Sequence, residues 1–115
     1  MSCRIDYLPE FERELRRLAK RYRSIKDDYA LLLNDLKINP TMGVDLGDGI
    51  RKVRMAISSK GKGKSAGARV ITYNVITHTT KEGRVILVTI YDKSEQSNIT
   101  KREIVSRLKR ARIIN

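Results

Sequence analysis

Lys52 and Arg54 stand two apart in the alternating segment "IRKVRMAI", and Tyr91 and Lys93 stand two apart at the end of "RVILVTIYDK". Between them, Arg69 opens "RVITYNVI" directly after the small residues Gly67 and Ala68. A strand sends alternate side chains to the same face. Lys52 therefore goes with Arg54, Arg69 with Ile71 and Tyr73, and Tyr91 with Lys93. If the three strands are neighbours, these cations line one wall. Guanidinium groups bind phosphate oxygens bidentately and stay charged, so Arg54 and Arg69 suit a phosphate clamp. Lys52 or Lys93 is the candidate base or acid, because crowding by other cations favours a neutral amine. Tyr91 or Tyr73 can stack on a base or handle a proton. Gly67 and Ala68 leave room for a polymer to approach the backbone beside Arg69.

A second cationic feature is the stretch "KGKGKSAGAR", with Lys60, Lys62 and Lys64 separated by glycines. Gly63-Lys64-Ser65 supplies the end of a phosphate-binding G-x-x-x-x-G-K-[ST] loop, but the first glycine falls on Ser58. The following residues read as a strand, so no helix N-terminus is there to receive phosphates. The stretch is expected to be a mobile, positively charged flap beside the clustered cations.

The balance of 25 Lys and Arg against 13 Asp and Glu gives a formal charge of +12 in 115 residues. Such a chain attracts polyanions: nucleic acid, an anionic membrane or an acidic protein. Arg51, Lys52, Arg54, Lys60, Lys62, Lys64 and Arg69 form a segment without an acidic residue, and a second cluster begins at Lys101 and Arg102. The length suits one domain, expected over residues 1–115. One cysteine, Cys3, excludes an internal disulfide and fits a reducing compartment. No apolar run nears the ~20 residues of a membrane helix. The N-terminal residues carry Arg4 and Asp6 where a signal peptide is apolar. A cytoplasmic protein is expected.

The elements that must position these side chains are legible in outline. Cys3, Ile5 and Tyr7 alternate as a short strand. Pro9 opens a helix striped by Phe11, Leu15, Leu18 and Tyr22. Ser24 is the expected N-cap of a second helix, striped by Ile25, Tyr29, Leu32, Leu33 and Leu36 and stopped at Asn39-Pro40. "TMGVDLGDG" reads as a loop. Three strands follow, the last two joined by "THTTKEG", where the only histidine, His78, is expected at the surface. Thr100 and Glu103 form a capping box for a basic terminal helix, with Ile99 and Ile104 as its staple. The order is β-α-α-β-β-β-α: an α+β fold whose antiparallel sheet is covered by helices on one face, leaving the other face free.

The series "IRKVRMAISSKGKGKSAGARVITYNV", then "VILVTIYDKSE", then a basic terminal helix resembles the RelE/ParE superfamily of type II toxins, nearest to its HigB-like members. The resemblance implies a small curved sheet with two N-terminal helices on one side. It implies a toxin that cuts messenger RNA in the 70S ribosome without metal or cofactor, and a cognate antitoxin, acidic or DNA-binding. In that chemistry the 2′-hydroxyl attacks the adjacent phosphorus, requiring a base, oxyanion donors and an acid. Lys52, Arg54, Arg69, Lys93 and Tyr91 are then the expected catalytic set. Lys60, Lys62, Lys64, Arg51, Lys101 and Arg102 are expected to touch ribosomal or messenger RNA. The chain lacks the tyrosine that family members commonly carry near the last helix. The alternatives are a ParE-like inhibitor of DNA gyrase and a non-catalytic basic RNA-binding module.

Overall fold

Pro9 sits at the first turn of α1 (Pro9–Arg21), where its fixed φ and missing N–H cost nothing, and Phe11 and Leu18 bury one side of that helix. A computed structural model describes residues 3–75 and 83–115; the hairpin connection and His78 lie outside the described residues. β1 (Cys3–Tyr7) precedes α1, and α2 (Ile25–Ile38) follows it. β2 (Val44–Gly47), β3 (Ile50–Met55), β4 (Ala68–Val75), β5 (Gly83–Asp92) and α3 (Lys101–Arg110) complete the described order. The fold is α+β.

Several expectations change. "TMGVDLGDG" is not all loop, because Val44–Gly47 forms β2, joined to β3 by Asp48-Gly49. Both turn residues have positive φ, 55° and 81°, the conformation of a tight two-residue hairpin that matches strand twist. The sheet is also mixed. Its order is β1-β5-β4-β3-β2, with β1 parallel to β5 and every other pair antiparallel. The helical hairpin carries the chain from one sheet edge to the other, as a crossover between parallel neighbours requires. The four-strand meander then returns it alongside β1.

The second face is not free. Phe11, Leu18, Ile25, Leu32 and Leu36 pack with Val53, Met55, Val70 and Leu87 on the first face. Ile104 and Leu108 of α3 pack with Ile50, Ile71, Ile86 and Val88 on the other. Two small cores therefore sandwich one sheet. Arg107 ties α3 to α1 around the sheet edge, 3.3 Å from Glu10 and 3.2 Å from Glu14. Glu14 also accepts a hydrogen bond from Thr89 of β5 at 2.9 Å.

Helix ends follow the sequence partly. Thr100 caps α3 by accepting the Glu103 N–H at 3.1 Å. Ser24 does not cap α2 with its side chain. Its hydroxyl donates to Asp28 and accepts the Ser59 N–H instead. Buried Asp28 further accepts the Ser58 backbone N–H and hydroxyl. These bonds pin the start of the glycine–lysine stretch to α2.

Candidate active site

The register sets the candidate side chains in rows. Lys52, Ile71 and Thr89 lie opposite one another across β3, β4 and β5, and Arg54, Arg69 and Tyr91 form a second row. Between them, the Val53–Val70–Ile90 row belongs to the core under α1 and α2. Alternation thus puts Lys52, Arg54, Arg69 and Tyr91 on the α3 side, with Tyr91 itself part of the core that α3 covers. A bulge decides this for Tyr91. Ile71 pairs with Thr89 but Thr72 pairs with Leu87, so Val88 is an extra residue. Strict alternation from Ile86 would turn Tyr91 to the opposite face; the extra residue resets the phase and sets it beside Arg69.

Arg69 is only 5% exposed, and it is not a free clamp. Its Nη1 donates to the carbonyls of Lys64 at 3.0 Å and Ala68 at 3.2 Å, and its Nη2 to that of Ser65 at 3.0 Å. Three of a guanidinium's five donors are so engaged. Burial and the neighbouring Arg54 both push its pKa down, while Tyr91 opposes them. Tyr91 is 4% exposed and its hydroxyl is buried with no hydrogen-bond partner. Burial raises the phenol above its ordinary value despite the pull of Arg69. This row therefore combines one exposed cation, Arg54, one fixed cation, Arg69, and a protonated phenol.

Gly67, expected to open the backbone to a polymer, is filled by the protein itself. A Cβ there would lie 2.3 Å from the Met55 carbonyl oxygen. The glycine–lysine stretch is likewise no free flap. It contains two 3-10 turns, Ser58–Lys60 and Lys64–Ala66. Lys60 turns inward: its Nζ is 2.6 Å from Asp92 Oδ1, 3.2 Å from the Ala66 carbonyl and 5.1 Å from the centre of the Tyr22 ring. Asp92 also accepts the Tyr22 hydroxyl at 2.6 Å and the Ser94 N–H and hydroxyl. Burial would raise its pKa, but these bonds outweigh it and hold the carboxyl well below the usual range. Lys60 thus leaves the expected RNA-contact set, since its charge is committed to a buried ion pair. Lys62 and Lys64 remain exposed.

A family model described as the RelE toxin of the RelE/RelB toxin–antitoxin system matches residues 11–115. The chain belongs to the RelE toxin family. It is the toxin of a toxin–antitoxin system, and membership implies a cognate antitoxin as partner. Among the described residues of this RelE-family toxin, no helix is long and apolar enough to cross a membrane.

The remaining expected site residues of this RelE-family chain divide. Lys52 is half-buried and its Nζ donates to Asn98 Oδ1 at 2.7 Å, one row from Arg54. Lys93 lies one residue past β5, exposed, with its N–H on the Gly67 carbonyl at 3.1 Å. That bond extends the ladder and keeps Lys93 at the Tyr91 end of the sheet. Arg51 belongs to the opposite face from Lys52 and Arg54 and lies 3.7 Å from Asp45, so it is not part of the row. Lys101 bridges to Asp48 at 2.7 Å, while Arg102 is exposed on the outer side of α3. Sequence reasoning missed the Tyr22–Lys60–Asp92–Ser94 cluster, whose members span three segments. The one available signal was Asp92 itself, an acidic residue closing a strand rich in apolar residues.

Proposed function

We propose that this toxin is a ribosome-dependent endoribonuclease that cuts messenger RNA by attack of the 2′-hydroxyl on the adjacent phosphorus. The observation that carries this reading is the Arg54–Arg69–Tyr91 row, with a buried, unpartnered phenol hydroxyl beside two guanidinium groups. A phosphate between Arg54 and Tyr91 gives that hydroxyl its missing partner. Arg69 supplies fixed positive charge behind it in a water-poor setting, where electrostatic stabilisation is strongest.

The bond made is 2′-oxygen to phosphorus, and the bond broken is phosphorus to 5′-oxygen. Tyr91, kept protonated by burial, donates its proton to the leaving 5′-oxygen. Arg69 and Arg54 then steady the phenolate. The 2′-proton passes to Lys52 or Lys93 acting as the neutral amine. The products carry a 2′,3′-cyclic phosphate and a 5′-hydroxyl. Arg102, Lys62 and Lys64 offer exposed cations for ribosomal RNA on either side of the row.

The test is a purified translation reaction with a defined message and end analysis of its fragments. Cuts within codons, ending in cyclic phosphate and slowed ~100-fold or more by Arg54→Ala, are expected. Intact message in arrested cells, with double-strand DNA breaks instead, overturns the reading in favour of a gyrase poison.

A further inference from the structure

The turn Lys64–Ala66 presents three successive carbonyls to two cations. Arg69 Nη1 donates to the Lys64 carbonyl and Nη2 to the Ser65 carbonyl, each at 3.0 Å, and Lys60 Nζ donates to the Ala66 carbonyl at 3.2 Å. The turn has little stiffness of its own. It is a single 3-10 turn whose closing bond, from the Gly67 N–H to the Lys64 carbonyl, is 3.3 Å long. Before it, Gly61 and Gly63 have positive φ, and a Cβ on either would meet nothing within 4 Å. Glycine leaves that approach conformationally free, so the cations on its carbonyls set where the turn lies.

Lys60 is itself fixed from across the sheet. Asp92 follows Tyr91 in β5, and alternation sends its carboxylate to the α1 side. There Tyr22, the residue that ends α1, donates its hydroxyl to Asp92 Oδ2 at 2.6 Å. The three protons of the Lys60 ammonium meet three acceptors: Asp92 Oδ1 at 2.6 Å, the Ala66 carbonyl at 3.2 Å and Ser94 Oγ at 3.3 Å. A lysine so engaged is a fixed point, not a swinging charge. A continuous path thus runs from Tyr22 through Asp92 and Lys60 to the Ala66 carbonyl, and the two carbonyls before it end on Arg69. Arg69 needs such support, because Arg54 lies opposite it across β3 and β4 and like charges repel.

We propose that Tyr22, Asp92 and Lys60 are positioning residues for Arg69, holding the turn whose carbonyls keep its guanidinium beside Arg54 and Tyr91. None of the three touches RNA in this role. The support of Arg69 stands on the hydrogen bonds themselves; its consequence for the rate of cleavage rests on the nuclease reading. Misplacing a charge-stabilising group by about 1 Å can cost about 100-fold in rate. The path therefore lets side chains on the α1 side govern a reaction on the α3 side.

NMR of the guanidinium groups in the free toxin reports on Arg69 directly. Bonds to the Lys64 and Ser65 carbonyls hinder rotation, so its Nη protons should be resolved in wild type. Tyr22→Phe keeps the ring under Lys60 and removes only the hydroxyl. In that variant and in Asp92→Asn, the Arg69 protons should exchange at least about tenfold faster. Single-turnover cleavage by ribosome-bound toxin, compared among variants shown to be folded, should slow about tenfold in Tyr22→Phe and about 30-fold in Asp92→Asn. Affinity for the ribosome should stay within about threefold. In an Arg69→Ala background, Asp92→Asn should slow cleavage by no more than about threefold further, because residues that act through one another are not additive. Arg69 protons already averaged in wild type, or unchanged in Asp92→Asn, overturn the assignment. So does equal slowing with and without Arg69, or a ribosome affinity that falls as far as the rate. Wild type that cuts no message while its Arg69 protons respond as expected sinks the nuclease reading and leaves the support of Arg69 standing.

Discussion

Lys60 Nζ lies 2.6 Å from Asp92 Oδ1, with the lysine side chain 14% exposed and the aspartate fully enclosed. This pair joins the glycine–lysine stretch to the end of β5, beside the Arg54–Arg69–Tyr91 row. Removing one partner strands the other charge, so Lys60→Met should cost about 3–5 kcal/mol in denaturant unfolding. Asp92→Asn should cost less, because it leaves Lys60 able to reach the Ala66 carbonyl. The pair also makes stability depend on acid. Asp92 is ionised to lower pH in the folded chain than in the unfolded one. Its contribution is therefore complete above about pH 4 and declines as pH falls below that, where the unfolded state binds the extra proton. Unfolding curves from pH 7 to pH 3 should steepen this loss in wild type and flatten it in Asp92→Asn.

Arg54 and Arg69 face each other across β3 and β4 but should fail differently when replaced. Arg54 is exposed, so Arg54→Ala should leave stability within about 0.5 kcal/mol while cleavage drops. Arg69 holds three carbonyls, and Arg69→Ala should lose both activity and at least about 1.5 kcal/mol of stability. Lysine should not rescue it, because one ammonium cannot reproduce a planar fork across the Lys64 and Ser65 carbonyls. A variant pair with equal stability and unequal cleavage, or the reverse order, would refute this division of labour.

The helices and the three later strands were readable because their apolar residues keep one period for long enough to be seen. Ile50, Lys52 and Arg54 on one side and Val53 and Met55 on the other follow from alternation alone. β2 was missed because its four residues carry no sustained pattern, although Asp48-Gly49 is a hairpin signal in its own right. The side of Tyr91 depended on the bulge at Val88, and no local residue announces that extra position. Coverage of the second face by α3 was also hidden. A helix bearing Arg102, Arg107, Lys109 and Arg110 looks like a solvated one until Arg107 is seen neutralised by Glu10 and Glu14. Lys60 was misassigned for the same reason: its partner Asp92 is 32 residues away, joined by folding and not by sequence.

Gly67 tests how tightly the site end of the sheet is built. Its φ is ordinary, so the requirement for glycine is steric: a Cβ would meet the Met55 carbonyl at 2.3 Å and the Ile57 nitrogen at 3.0 Å. These are backbone atoms and cannot swing away. Gly67→Ala should therefore part β3 from the start of β4 and cost about 1–3 kcal/mol or more. It should also weaken the bond from the Lys93 N–H to the Gly67 carbonyl. Hydrogen exchange at Lys93 and denaturant midpoints check both effects. An unchanged midpoint would show that the strands have slack the structure does not suggest.

Tyr91 gives the clearest separation of fold from function. Its ring fills the α3-side core, but its hydroxyl is buried without a partner. An unsatisfied buried polar group costs about 1–3 kcal/mol, so deleting that oxygen alone should not destabilise the chain. Tyr91→Phe is expected to unfold at the same denaturant concentration as wild type or a higher one. If the hydroxyl protonates the leaving 5′-oxygen, the same variant should cleave message about 100-fold more slowly, within the range for a positioned acid. A substrate whose 5′-oxygen is replaced by sulfur leaves without needing that proton, so Tyr91→Phe should cut it nearly as fast as wild type does. Equal slowing on both substrates would assign Tyr91 to phosphate binding in place of proton donation, and full activity on the natural message would remove it from the site.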